Sequence, residues 1–226
     1  MDLQYYFSND FFPFEAYFSK IEHRERKYKA NEPVSAIGEP MNEMCYIKNG
    51  TIASYFLHES GNIKSFAFYG KGYLAPLYFP GEENTFNSMA FIAVSELEVY
   101  VFERKTFDQY LETNHALNKA MYGAYIKLVA LLIQENVNQL FCSGMEKICN
   151  FFYIYLENMK EKQQSIYLTQ SEIAQHVGLN RVNVAKYLKK LRTEEVIETH
   201  RNKIMVLNME KLGKFCSKEI QGILKK

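Results

Sequence analysis

Arg181, Asn183, Lys186 and Lys190 lie within ten residues of one another in SEIAQHVGLNRVNVAKYLKKL, residues 171–191. A guanidinium offers a planar fork of donors that fits a guanine edge, an amide both donates to and accepts from adenine, and an ammonium suits phosphate. Val184, Leu188 and Leu191 follow at steps of four and three, the spacing of a helical face that must be buried. The polar and cationic residues are left off that face, so their partner lies outside the chain. Val182, between Arg181 and Asn183, can add only apolar contact, such as to a thymine methyl.

These residues need elements to aim them. Thr169 followed by Glu172 forms a capping box, the helix it starts buries Ile173, Ala174 and Val177, and Gly178 supplies the backbone that ends it. Asn180 caps the next helix. Two helices joined by so short a turn read as a helix-turn-helix, the first bracing across the phosphate backbone and the start of the second placed in the major groove. VIETHRNKIMVL then reads as two strands about a basic turn, His200-Arg201-Asn202-Lys203, which is a wing. Arg181, Val182 and Asn183 are the expected base readers, with Lys186 and Lys190 beside them. Thr169, Ser171, Arg201 and Lys203, with Lys189, are the expected phosphate contacts.

The charge divides in the same place. Up to residue 141 the chain has 12 Lys and Arg against 17 Asp and Glu, and from 142 onward 15 against 9. A basic last part after an acidic first part is the electrostatic footprint of nucleic-acid binding. Cys45, Cys142, Cys149 and Cys216 show no metal or redox spacing, and the aromatic start MDLQYYFSNDFFPF is no secretory leader, so a reducing cytoplasm is expected. No stretch approaches the ~20 apolar residues of a bilayer span, and no membrane partner is expected.

The first hundred residues read as strands. YIKNGTIASYF places Asn49-Gly50 between two β-prone runs as a two-residue hairpin turn, turns follow at Glu59–Asn62 and Gly70–Gly72, and FIAVSELEVYVF reads as a further strand pair. Short strands so punctuated make an antiparallel barrel or sandwich. From about Asn114 the period becomes helical. One apolar stripe runs through Leu117, Met121, Tyr125, Leu128 and Leu132, and a second through Ile126, Val129, Ile133, Val137 and Leu140. A helix with two apolar faces needs two partners, and a second copy of itself is the economical one, with Ile126, Val129, Ile133 and Val137 as the seam. Ser143 with Glu146 caps a new helix after the break at Phe141–Gly144. The expected divisions are 1–112, 113–141 and 142–226.

YIKNGTI, SGNIKSFAFYGKG and above all LTQSEIAQHVGLNRVNVAKYLKKLRTEEVIE resemble the Crp/Fnr family of bacterial one-component transcription regulators, over nearly the whole chain. The resemblance implies an α+β fold: an N-terminal antiparallel β-roll of the cyclic-nucleotide-binding type, a double-stranded β-helix or jelly-roll, then a long dimerisation helix and a C-terminal winged helix-turn-helix. It implies a homodimer, a palindromic DNA operator, RNA polymerase as a further partner, and a small effector in the β-roll. LYFPGEEN and Tyr125 resemble the reductive-dehalogenation regulators, which bind halogenated phenols.

The departures narrow the effector. GYLAPLYFPGEENTFNSMAF contains no arginine to pair with a cyclic phosphate, which argues against cAMP. No cysteine cluster precedes Cys45, and His23, His58 and His115 lack ligand spacing, so no cofactor and no metal is expected. Tyr69, Tyr73, Tyr78, Phe79, Tyr122 and Tyr125, with Lys127 as the nearest helical cation, offer a site for an aromatic or phenolate ligand. A ligand there that contacts the long helix would bias how two protomers pack and so set the spacing of the recognition helices. A family member that binds DNA with no ligand is the alternative. No catalytic constellation favours an enzyme.

Overall fold

Buried and half-buried residues alternate along Ile52–Ser54 and Leu97–Val101, the period that leaves one face of a strand on a core. The computed structural model describes residues 4–78, 88–158 and 164–223 of the 226. They divide into two compact units, Tyr6–Val129 and Ala130–Lys226, the second also taking Met1–Tyr5. In the first unit the strands are β1 (Tyr6–Phe7), β2 (Arg24–Tyr28), β3 (Pro33–Ser35), β4 (Glu43–Asn49), β5 (Ile52–Leu57), β6 (Ile63–Tyr69), β7 (Leu74–Ala75), β8 (Ala90–Ala93) and β9 (Leu97–Glu103). They form a five-stranded sheet, β1-β6-β5-β8-β3, and a four-stranded sheet, β2-β9-β4-β7. A short helix, α1 (Glu15–Phe18), puts Phe18 against Tyr46, Phe102 and Phe107, with ring centroids 4.9, 5.4 and 6.1 Å away. Each such ring contributes about 1.5–3 kcal/mol by leaving water.

Two expected hairpins are corners instead. Asn49-Gly50 does not fold β4 onto β5: the two strands lie in different sheets. Gly50 has φ of 90°, and a Cβ on it would overlap the Glu96 carbonyl, so glycine is required both for backbone conformation and for close approach. Likewise FIAVSELEVYVF yields β8 and β9, each a strand, but in different sheets. The corners brace each other, Val94 N donating to Thr51 O at 2.8 Å and Thr51 N to Ser95 Oγ at 3.1 Å. Alternation fixes which face a strand buries, not which neighbour it pairs with, so the sequence pattern could not separate hairpin from corner. The turn at Glu59–Asn62 does close a hairpin, with Leu57 opposite Ile63.

After β9 come α2 (Arg104–Thr113), which buries Phe107 and Leu111, and the long α3 (His115–Phe141), where Asn114 Oδ1 accepts from Leu117 N at 3.0 Å. The unit division falls inside α3, between Val129 and Ala130. Leu117, Met121, Ala124 and Leu131 are buried, while Tyr122, Ile126, Val129, Leu132 and Ile133 are exposed and Val137 is half-buried. Leu132 was expected on the buried stripe. Each step of four residues advances about 400°, roughly 40° past a full turn, and so drifts off a face, and Leu131 takes the inward position. α3 is also long and apolar enough to match a membrane span by length and composition, which corrects the expectation that no stretch comes near one. Lys127, Gln134 and Glu135 interrupt the run, and its apolar side chains divide into one buried and one exposed face.

The second unit continues with α4 (Gly144–Asn158), β10 (Ser165–Ile166), α5 (Gln170–Val177), α6 (Arg181–Thr193), β11 (Ile197–His200), β12 (Lys203–Val206), α7 (Met209–Lys214) and α8 (Lys218–Ile223). Ser143 and Glu146 form the expected capping box at the start of α4, through bonds of 2.8 and 3.3 Å. β10 joins the wing as a third strand, in the order β10-β12-β11.

Candidate functional site

Capping chemistry sets the direction of both helices of the α5–α6 pair. Thr169 N donates to Glu172 Oε2 at 2.6 Å and Glu172 N to Thr169 Oγ1 at 3.2 Å, which orients α5 from its first turn. Gly178 ends it at φ of 66°, and Asn180 Oδ1 accepts from Asn183 N at 2.8 Å to start α6. Ile173, Ala174 and Val177 of α5 and Val184, Leu188 and Leu191 of α6 are buried. The opposite side of α6 therefore faces solvent: Arg181, Asn183, Lys186, Lys189 and Lys190 are exposed, and Val182 is 77% exposed.

The wing follows with His200 opposite Lys203, and Asn202 at φ of 56° closes the turn. Arg201 is exposed, Lys203 and Thr169 are half-buried, and Ser171 is exposed. Among the described residues, Arg181, Lys186, Lys189, Lys190 and Arg201 make no ion pair. An apolar valine and unneutralised cations on one helix face, at the end where a helix-turn-helix enters a groove, are chemically suited to a nucleic acid. Sequence reasoning missed Tyr167, which is exposed with Lys203 Nζ 5.5 Å from its ring centroid. An aromatic just ahead of the capping Thr169 was the available signal.

The first unit holds a cavity of about 90 Å³ walled by Met41, Tyr69, Pro76, Leu77, Ser88, Met89, Phe91, Tyr125 and Leu128. Of the seven residues expected there, Tyr69 and Tyr125 line it. Tyr73 is behind the wall, fully buried and stacked on Tyr69 at 5.3 Å. Tyr78 is buried, donates to Asp108 Oδ1 at 2.8 Å and lies beneath the Arg104 guanidinium, 4.5 Å from its ring centroid. Tyr122 is 58% exposed on the outer face of α3, and Lys127 is bound to Asp10 at 2.5 Å. Phe79 and the GEEN of residues 81–84 lie outside the described residues.

Burial pushes the Tyr69 phenol up to about 12, partly offset by the Ser54 hydroxyl, and raises Tyr125 further. Both are neutral hydrogen-bonding groups near pH 7. The hydroxyl of Tyr125, like that of Tyr73 and Oδ2 of Asp10, is buried with no hydrogen-bond partner among the described residues. No group of three or more His, Cys, Asp or Glu is placed to hold a metal among the described residues.

A winged helix-turn-helix that follows a double-sheet sandwich defines the class: a DNA-binding transcription regulator. The description "Crp-like helix-turn-helix domain" matches residues 146–215 and "Cyclic nucleotide-binding domain" matches residues 25–114. Together they span most of the chain in family order, and the chain belongs to the Crp/Fnr family of transcription regulators. No curated protein sequence matches it significantly. Solved structures share the fold. FixK2 from Bradyrhizobium japonicum superposes with a TM-score of 0.74 at 17% identity, covering 87% of this chain and 98% of its own. The c-di-GMP responsive global regulator CLP of Xanthomonas campestris gives 0.75 at 15%, covering 86% and 98%. CprK complexed with OCPA gives 0.70 at 20%, covering 93% and 99%.

Proposed function

We propose that this regulator is a cytoplasmic homodimer that binds a palindromic operator and works with RNA polymerase, its DNA affinity set by a small effector in the cavity of the first unit. The observation that carries the reading is the double use of α3. Tyr125 and Leu128 wall the cavity, while Tyr122, Ile126 and Val129, on the same turns, form an exposed apolar face suited to a second copy. A ligand touching Tyr125 thereby acts on the helix whose packing sets the distance between two recognition helices, about 34 Å for half-sites one DNA turn apart.

The cavity favours a small ligand with an aromatic or apolar body and a hydroxyl or similar polar group. Tyr69 and Phe91 offer ring faces, and the Tyr125 hydroxyl has a bond to give. A cyclic nucleotide fits the reading poorly. Residues 72–91 contain no arginine, and Arg104 directs its guanidinium to the Tyr78 ring and, at 3.5 Å, the Met41 carbonyl. CLP is responsive to c-di-GMP and CprK is complexed with OCPA, so one fold serves unlike molecules and wall chemistry must decide. The test is native mass spectrometry of the purified protein, followed by operator titration with and without the small molecule released. A ligand that shifts operator affinity by about fivefold or more supports the reading. Unchanged affinity on removing every bound small molecule would establish constitutive DNA binding instead.

A further inference from the structure

Tyr5 is an aromatic residue that the DNA-binding chemistry leaves unexplained. It is 2% exposed, its hydroxyl donates to the Glu135 carboxylate, and its ring meets Phe151 edge-on at 5.0 Å. Phe151 in turn stacks on His176 of α5 at 4.8 Å and 13°. Glu135 also accepts from Asn138 Nδ2 at 3.4 Å, Asn138 Oδ1 accepts from Asn150 Nδ2 at 3.0 Å, and Asn150 Oδ1 accepts from Ser217 N at 2.9 Å. A buried polar network thus joins the end of α3, α4 and the residue ahead of α8, with Tyr5 as one of its members. Such networks are stiff when complete, and when one donor leaves, the buried partner left unpaired imposes its desolvation cost.

The next residues belong to the other unit. Tyr6 and Phe7 form β1, parallel to β6, with Phe7 opposite Tyr69. Gly70 N donates to Phe7 O at 2.8 Å, and the Phe7 ring stacks on Tyr69 at 5.9 Å. Tyr69 is a wall of the cavity. Tyr5, whose side chain is locked into the helix-turn-helix unit, therefore directly precedes the strand locked to the cavity wall, and its reach to Phe7 is about 7 Å with no slack.

We propose that the N-terminal arm is a second route of communication, parallel to α3, by which a shift of the Tyr69 wall reaches the DNA-binding unit, with Tyr5 as the positioning residue. When β1 follows β6, Tyr5 is drawn along its chain direction, and the Glu135 bond and the Phe151 contact must follow or break. Either outcome changes the packing beneath α5. The route holds whatever occupies the cavity, because it depends on the wall and not on the ligand.

Cys142 reads the state of the network without ligand or operator. Its thiol donates to Asn138 Oδ1 at 3.6 Å and is half-buried, whereas Cys45, Cys149 and Cys216 are buried. Thiol labelling of the full-length protein with Ellman's reagent, assigned by peptide mass spectrometry, measures its opening. Tyr5→Phe keeps the ring on Phe151 and removes the hydroxyl, and should speed labelling of Cys142 about threefold or more, the size of one net hydrogen bond. Phe7→Leu, on the sensor side, should speed it likewise, and the double variant should label no faster than Tyr5→Phe alone. An unchanged Cys142 rate in Phe7→Leu, or two effects that multiply, would overturn the proposal. If Phe7→Leu exposes Cys45, the sensor core has opened. Gly70→Ala, whose Cβ would run into the Tyr6 hydroxyl and displace β1, then takes its place with the same outcomes for and against.

Discussion

At the scale of the residue, the recognition helix makes the sharpest statement. Arg181 is exposed at the first position of α6, and Arg181→Ala should cost about 1–3 kcal/mol at a single guanine position in operator-binding titrations. Val182 has no polar atom in its side chain, so selection from random DNA should return A·T there, and Val182→Glu should move the preference towards cytosine. These residues were legible because side-chain chemistry and a period of 3.6 suffice to find them. A second prediction concerns burial. Cys45 and Tyr69 are each pushed up to about 12, from ordinary values of 9.0 and 10.0. A folded value above the unfolded one favours folding fully at pH below the unfolded value and loses that contribution as pH rises through the folded one. Urea midpoints should owe no pH dependence to these groups between pH 6 and 8, and should fall between about pH 9 and 12. Stability that held to pH 12 would contradict their burial as neutral groups.

At the scale of the element, caps and turns carried the most information. Thr169, Glu172, Gly178 and Asn180 fix where α5 and α6 start and stop through bonds made within a few residues, so the sequence pattern and the structure agree. The wing is also local, with one strand opposite the next across Arg201-Asn202. Arg201→Ala should weaken binding to all DNA sequences alike and make the slope of log affinity against log salt shallower by about one. A loss confined to one operator sequence would place Arg201 in a groove rather than on phosphate. The elements that resisted reading were the corners. Asn49-Gly50 has hairpin chemistry, yet the conformation of Gly50 serves a passage between sheets that depends on Glu96, 46 residues later.

At the scale of the whole molecule, the exposed face of α3 is the proposed seam between two copies. Ile133 is 61% exposed in the single chain, and Ile133→Glu would place a carboxylate in each half of a paired seam at a cost of several kcal/mol. Analytical ultracentrifugation should find that variant monomeric, and operator affinity should collapse while circular dichroism stays native. A dimeric, DNA-binding Ile133→Glu would sink the seam. Tyr122 belongs to the same exposed face, not to the cavity, which only the rotation of the folded helix could show. The sequence alone determined the helix-turn-helix, its wing, the capped helices and the α+β order, because those follow from side-chain type and contacts a few residues apart. Tertiary structure alone decided the sheet partners, the cavity that brings Met41, Tyr69 and Phe91 to Tyr125, the binding of Lys127 to Asp10 and the anchoring of Tyr5 on Glu135. Each joins residues far apart in the chain, and such contacts depend on how the whole apolar surface is shared out, which no local pattern encodes.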